Sequence, residues 1–151
     1  MSKNVRKPLG DKYVSSPVTL GDKIRNRRLE LHLLQKDIAQ TFGVTEDCIT
    51  NWENNLSQPE TRYLPDIIQF LRYIPFRMNL QNFNERLHYY RLTQGFTHKQ
   101  MGQLFEVDGS TIGAWEQNKH LPRAKKYSTV SLKLSTLLQE LKQKHKTRSI
   151  V

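Results

Sequence analysis

One stretch of this chain occurs twice, and that repeat limits the fold more than any other feature. With the sequence displaced by 63 positions, so that Trp52 lies on Trp115, no gap is needed. Arg28 then meets Arg91, Leu29 meets Leu92, Lys36 meets Lys99 and Gln40 meets Gln103. Phe42 meets Phe105, Val44 meets Val107, Ile49 meets Ile112, Glu53 meets Glu116, Asn55 meets Asn118 and Pro59 meets Pro122. The repeated module spans residues 19–59 and again 82–122. In a chain of 151 residues this favours two small domains over one. Each copy is near the lower size at which a core holds without staples, so flanking helices are expected to complete it.

The pattern inside each copy is helical. In the first, Thr19 can cap a helix whose apolar stripe is Leu20, Ile24 and Leu31, with Arg28 on the same side. A short helix from Gln35 to Phe42 turns Ile38 and Ala39 inward and Lys36 and Asp37 outward. Gly43-Val44 breaks it, because glycine supplies the positive φ that ends a helix and turns the chain. Thr45 caps a third helix with Ile49 and Trp52 inward, and Asn54, Asn55 and Pro59 form a loop. Leu64, Ile67, Ile68 and Leu71, with Pro65 in the first turn, make a fourth helix that Pro75 ends.

The second copy repeats the order. Phe83, Leu87 and Arg91 share one helix, and Thr97 caps the next, with Met101 and Leu104 or Phe105 inside. Asp108 caps a third helix carrying Ile112 and Trp115. Val130, Leu134, Leu137, Leu138 and Leu141 form a further amphipathic helix. No segment alternates at period two, so the expectation is an all-α chain. Its divisions are a basic arm (1–18), a first module (19–76), a second module (82–141) and a basic tail (142–151).

The net charge of +10 is unevenly placed. The first repeat carries five basic and six acidic residues, and the second carries four of each. Residues 1–18 hold four basic residues against Asp11, and residues 123–151 hold eight against Glu140. Basic tails on neutral modules suit a polyanionic partner, with a merely solubilising tail as the alternative. A lone cysteine, Cys48, rules out a disulfide within the chain and fits a reducing cytosol. No apolar run reaches membrane-spanning length, and the N-terminus lacks the apolar core of a signal peptide. A soluble, intracellular protein is expected.

Two short helices joined by a tight turn are one way to present a helix to the DNA major groove. Residues Gln35 to Glu53, QKDIAQTFGVTEDCITNWE, resemble the helix-turn-helix of the lambda repressor and Cro family, which includes the xenobiotic-response-element regulators. Residues His98 to Glu116, HKQMGQLFEVDGSTIGAWE, resemble it too. The resemblance covers a little over half the chain. It implies two tandem lambda-repressor-like bundles in a sequence-specific, DNA-binding transcriptional regulator of bacterial or phage type, cytoplasmic and nucleoid-associated. Double-stranded DNA would be the partner, and a homodimer and a protein partner both stay open. Two alternatives are a protein-interaction module of the same fold, antitoxin-like or adaptor, and a non-specific nucleic-acid-binding protein.

Residue roles follow from the same resemblance. The family's phosphate-binding glutamine falls on Gln35 and on His98, with Lys36 and Lys99 beside them. Base-reading positions fall on Glu46 and Asp47 and on Gly109 and Ser110, with a further reader one turn later on Asn51 and on Ala114; beside them Thr50 and Thr111 offer neutral hydrogen-bonding groups of their own. Thr45 caps the first reading helix. The phosphate-gripping loop falls on Asn54 and Asn55, and on Gln117, Asn118 and Lys119, with His120 and Arg123 following. The family's buried ion pair falls on Arg28 with Glu53 and on Arg91 with Glu116. Glu46 and Asp47 depart from the family's neutral or basic groups. They could accept from cytosine N4, or simply favour the helix dipole. Glu106 replaces the turn glycine, so that turn is expected to differ or to carry strain.

Other constellations lead elsewhere. Trp52 and Trp115 could stack on bases, but their spacing from Ile49 and Ile112 reads as core. The arginine–glutamate pairs read as structural rather than catalytic. The histidines at 32, 88, 98, 120 and 145 show no metal-ligand spacing, and one cysteine cannot build a zinc finger. Asp108-Gly109-Ser110 reads as a helix cap rather than a phosphate loop, and Cys48 as an inert small residue rather than a redox group. Neither an enzyme nor a cofactor is expected.

Overall fold

The computed structural model describes residues 13–150, with side chains to residue 146. All its regular structure is helical, and the chain divides into two compact units, Met1–Pro75 and Phe76–Val151. Residues 1–12 of the basic arm lie outside the described residues.

Helices α1 (Leu20–Glu30), α2 (Gln35–Phe42), α3 (Glu46–Glu53) and α4 (Leu64–Leu71) form the first unit. Thr19 caps α1 through a reciprocal pair: its hydroxyl accepts from the Asp22 amide at 3.0 Å, and Asp22 accepts from the Thr19 amide at 3.2 Å. Gly43, at φ 67°, ends α2 and returns the chain into α3, whose Cys48 amide donates to the Thr45 hydroxyl. Ile24, Ile38 and Ile49 are fully buried, each stabilising the unit by roughly 1.5–3 kcal/mol. Phe42 packs edge-on against Phe70 and lies 6.3 Å from Trp52, which in turn meets Tyr63.

The second unit contains α5 (Phe83–Gln94), α6 (His98–Phe105), α7 (Gly109–Glu116) and α8 (Ala124–Ile150). The bounds of α6 and α7 are those of α2 and α3 displaced by the 63-residue repeat, with no residue gained or lost. Thr97 and Gln100 cap α6 reciprocally. Phe83, Leu87, Met101, Phe105, Ile112 and Trp115 build the core, and Val130 and Leu134 of α8 close it. Arg86 donates to Ser131 at 3.1 Å, fixing α8 against α5.

Several sequence expectations are corrected. Leu31 is 41 % exposed, because α1 ends at Glu30 and His32 turns away at φ 57°. Helix α4 stops at Leu71, not at Pro75: Arg72 takes the left-handed conformation at φ 70°. Asp108 occupies the N-cap position of α7 without a side-chain cap bond. At Glu106 the second of the two expected outcomes holds: the turn keeps its shape and the residue bears strain, at φ 57° and ψ 46° against 67° and 36° for Gly43. Residues 142–150 continue α8 without a break. Residues 13–18, read as part of the arm, lie against α1. Val14 and the buried Asn26 exchange two hydrogen bonds, of 2.7 and 2.8 Å.

Candidate nucleic-acid interface

Each helix pair is held by a buried carboxylate at the end of its second helix. In the first unit, Arg28 Nε and a terminal nitrogen donate to the two oxygens of Glu53 at 2.7 and 2.9 Å. The same guanidinium donates to the Leu33 carbonyl at 3.0 Å, binding α1, the loop before α2 and the end of α3 together. Both side chains are almost fully buried, at 2 % and 0 % exposure. In the second unit Arg91 repeats all three bonds, to Glu116 at 2.7 and 3.1 Å and to the Phe96 carbonyl at 3.0 Å. A bidentate guanidinium–carboxylate pair fixes angle as well as distance, so it sets how each pair of helices presents its outer face.

A second layer surrounds each carboxylate, and here the copies differ. Around Glu53 stand Arg25, whose Nε is 3.5 Å away, and Gln35, which donates at 3.0 Å. Around Glu116 stand His88 Nδ1 at 2.9 Å and His98 Nε2 at 3.1 Å. His88 lies at the repeat position of Arg25, and His98 at that of Gln35. Burial pushes the Glu116 carboxyl up, but hydrogen bonds from His88 and Arg91 and their nearby charges outweigh it and hold the group down to about 2. Sequence reasoning missed Arg25 and His88. Their signal was legible, since each lies three residues before the paired arginine and so on the same helix face.

On the first unit's outer face, the residues carried over from the resemblance divide into free and occupied. Lys36, Glu46, Asp47 and Asn51 are exposed. Thr45 is taken by the α3 cap, accepting from the Cys48 amide at 3.3 Å. Thr50 donates to the Gln35 side chain at 2.9 Å, so both brace α2 against α3. Asn54 accepts from Arg25 at 2.7 Å, and Asn55, at φ 59°, donates to Asp22 at 3.3 Å.

On the second unit's face, His98, Lys99, Ser110, Gln117, Asn118, Lys119, His120 and Arg123 are exposed, and Thr111 and Ala114 are half-buried. Asn118 repeats the left-handed turn of Asn55 at φ 57°. Gly109 is not part of that face. A Cβ there would stand 2.9 Å from the Lys99 amide nitrogen, so its missing side chain lets the starts of α6 and α7 touch.

Charge separates the units further. Residues 13–75 carry seven basic and eight acidic side chains, and residues 76–151 carry thirteen and five. Residues 13–75 are therefore close to neutral, at −1, residues 1–12 add +3 to that unit, and the second unit is +8. At matched positions the charge shifts the same way: Glu60 is matched by Arg123, a reversal of sign, and the exposed Leu56 by Lys119, a gained charge.

Among the described residues, no group of three His, Cys, Asp or Glu side chains could hold a metal ion, and no helix is long and apolar enough to cross a membrane. Comparison with known protein families, with curated proteins and with solved structures gives no match.

Proposed function

We propose that this chain is a sequence-specific DNA-binding transcriptional regulator with two tandem lambda-repressor-like helix-turn-helix modules. In this reading α3 and α7 are the helices offered to the major groove, and the second unit supplies most of the phosphate attraction. One observation carries the reading. Helix α7 offers small and hydroxyl side chains, Ser110, Thr111 and Ala114; the Lys99 backbone lies beside its first residue, and the exposed cations Lys119 and Arg123 follow its end in the chain. Cations there would engage phosphate while a small-residue helix enters the groove closely.

Duplex binding should therefore weaken steeply with salt. Replacing Lys99, Lys119 and Arg123 together by alanine should flatten the log–log slope by up to about 0.9 for each lost phosphate contact. An unchanged slope would overturn the assignment of this face.

A specific observation favours a second reading for the first unit alone, as a protein-interaction module. Its α3 presents Glu46 and Asp47, its loop asparagines are engaged internally, and Leu56 is 75 % exposed. Base readout there rests on Asn51. If α3 reads bases, Asn51→Ala costs about 1–3 kcal/mol at one base pair and relaxes preference there alone. If α3 faces a protein, the substitution leaves duplex binding untouched.

A further inference from the structure

The two carboxylate rings are built alike and charged differently. Around Glu53 the neighbours are Arg28, Arg25 and the neutral amide of Gln35. Two guanidiniums and one carboxylate make that ring +1, and arginine does not lose its proton in the physiological range. Around Glu116 the neighbours are Arg91, His88 and His98. With both imidazoles neutral this ring is uncharged, and with one protonated it is +1 like its counterpart.

A carboxylate only accepts, so His88 must carry a hydrogen on Nδ1 and His98 on Nε2 to make the observed contacts. Each ring does so as a neutral tautomer, and a further proton enters on the far nitrogen without breaking either bond. His88 is the place for that proton. It occupies the position of Arg25, while His98 occupies that of the uncharged Gln35. Protonated His88 meets the Glu116 oxygen at 2.9 Å and the Arg91 guanidinium at 3.4 Å, an attraction and a repulsion. The first unit holds the same combination permanently, with Arg25 and Arg28 sharing Glu53. The fold therefore accommodates two cations on this carboxylate. The His88 side chain is 36 % exposed and that of His98 46 %, so a charge placed here is within reach of an external anion.

We propose that the second unit carries a proton-operated form of the charge ring that is permanent in the first, with His88 as the switching group. Histidine is the side chain that ordinarily changes charge between about pH 5 and pH 8. The carboxylate is the nearer of the two opposed charges, 2.9 Å from His88 Nδ1 against 3.4 Å for the Arg91 guanidinium, and this sets the sign. Lowering the pH adds one positive charge beside α6, stabilising the second unit through Glu116 and strengthening its hold on a polyanion. Raising the pH removes both effects.

Two arms test the proposal, and only the duplex arm rests on the DNA-binding reading above. In the first arm, urea unfolding of the full chain is followed by Trp115 fluorescence in a Trp52→Phe background. The midpoint should fall between about pH 5.5 and pH 8, and His88→Arg, which gives the second copy the first copy's residue, should remove that fall. His88→Gln should unfold at both pH values as the parent does at the higher one. In the second arm, binding of a fluorescein-labelled mixed-sequence duplex is measured at constant ionic strength. The parent should bind about fivefold tighter at the lower pH, the weight of one unit charge a few ångströms from a phosphate in water. His88→Arg should hold the tighter value at both, whereas His32→Asn, a histidine of the first unit outside the proposed interface, should keep the parent's dependence. Equal pH dependence in the parent and in both His88 variants would overturn the proposal. Absence of duplex binding at every pH would instead defeat the DNA-binding reading, leaving the unfolding arm to decide the ring.

Discussion

Removing the Glu53 carboxylate should nearly abolish the stability of the first unit. Glu53→Ala leaves the Arg28 guanidinium, 2 % exposed, without the two short bonds that neutralise it, and takes a partner from Arg25 and Gln35. Breaking a buried pair by deleting one member costs about 3–5 kcal/mol, because the survivor stays out of water uncompensated. A unit of this size is stable by only about 3–9 kcal/mol, so the variant should lie close to its unfolding midpoint before denaturant is added. The chain's two tryptophans fall one in each unit, which makes the assay selective. In a Trp115→Phe background, Trp52 fluorescence follows the first unit through urea unfolding, and the shift in midpoint multiplied by the slope gives the loss. Glu53→Gln should cost less, since its amide oxygen still accepts from Arg28. A loss below about 1 kcal/mol for Glu53→Ala, the range of exposed pairs, would refute the argument that this carboxylate holds the helix pair.

Two further outcomes concern the second unit. The Glu116 carboxyl sits at about 2 in the folded unit against an ordinary 4.5. Its contribution is therefore complete above pH 4.5 and lost as pH falls toward 2, up to about 3 kcal/mol. An acid titration of Trp115 fluorescence should show that loss, and Glu116→Gln should remove this acid step. Glu106 pays a backbone cost that Gly43 avoids at the matching turn, so Glu106→Gly should stabilise the second unit by about 0.5–1 kcal/mol. A net loss in the urea midpoint would show that Glu106 makes compensating contacts.

Much of the fold was legible because the repeat supplies its own control. The break at Gly43-Val44 recurs at Glu106-Val107, and the same inward isoleucine and tryptophan follow it, so both helix pairs were placed from spacing alone. Periodicity gives a side chain's direction but not its partner or the last turn of its helix. Leu31 continues the stripe of Leu20 and Ile24 on paper, yet α1 has already ended there. Gln35 matched a phosphate-binding position and Thr50 lay beside a reading one, yet they bond to each other across α2 and α3, a contact between residues 15 apart that no single-helix pattern reveals. Gly109 matched a base-reading position as well, and only the closeness of the Lys99 backbone shows that it faces inward.

The distribution of differences between the copies bears on what the duplication is for. Residues that hold each carboxylate in place, Arg28 and Arg91 with the Leu33 and Phe96 carbonyls, keep the same bonds to within a few tenths of an ångström. Residues one layer out have diverged in charge. Arg25 has become His88, Leu56 Lys119 and Glu60 Arg123, while Glu46 and Asp47 have become Gly109 and Ser110. A pair of modules meeting the same ligand in the same way would give no reason for the outer layer to change its charge while the inner one stays fixed. If duplex DNA is that ligand, the +8 unit supplies the long-range attraction, since each phosphate contact adds to affinity whatever the sequence. The near-neutral unit then adds little pull of its own, and its acidic helix disfavours phosphate wherever a base or a protein does not reward it. Affinity and discrimination would thus lie on different units of one chain, the second unit sensitive to salt and α3 of the first sensitive to the chemistry of what it meets.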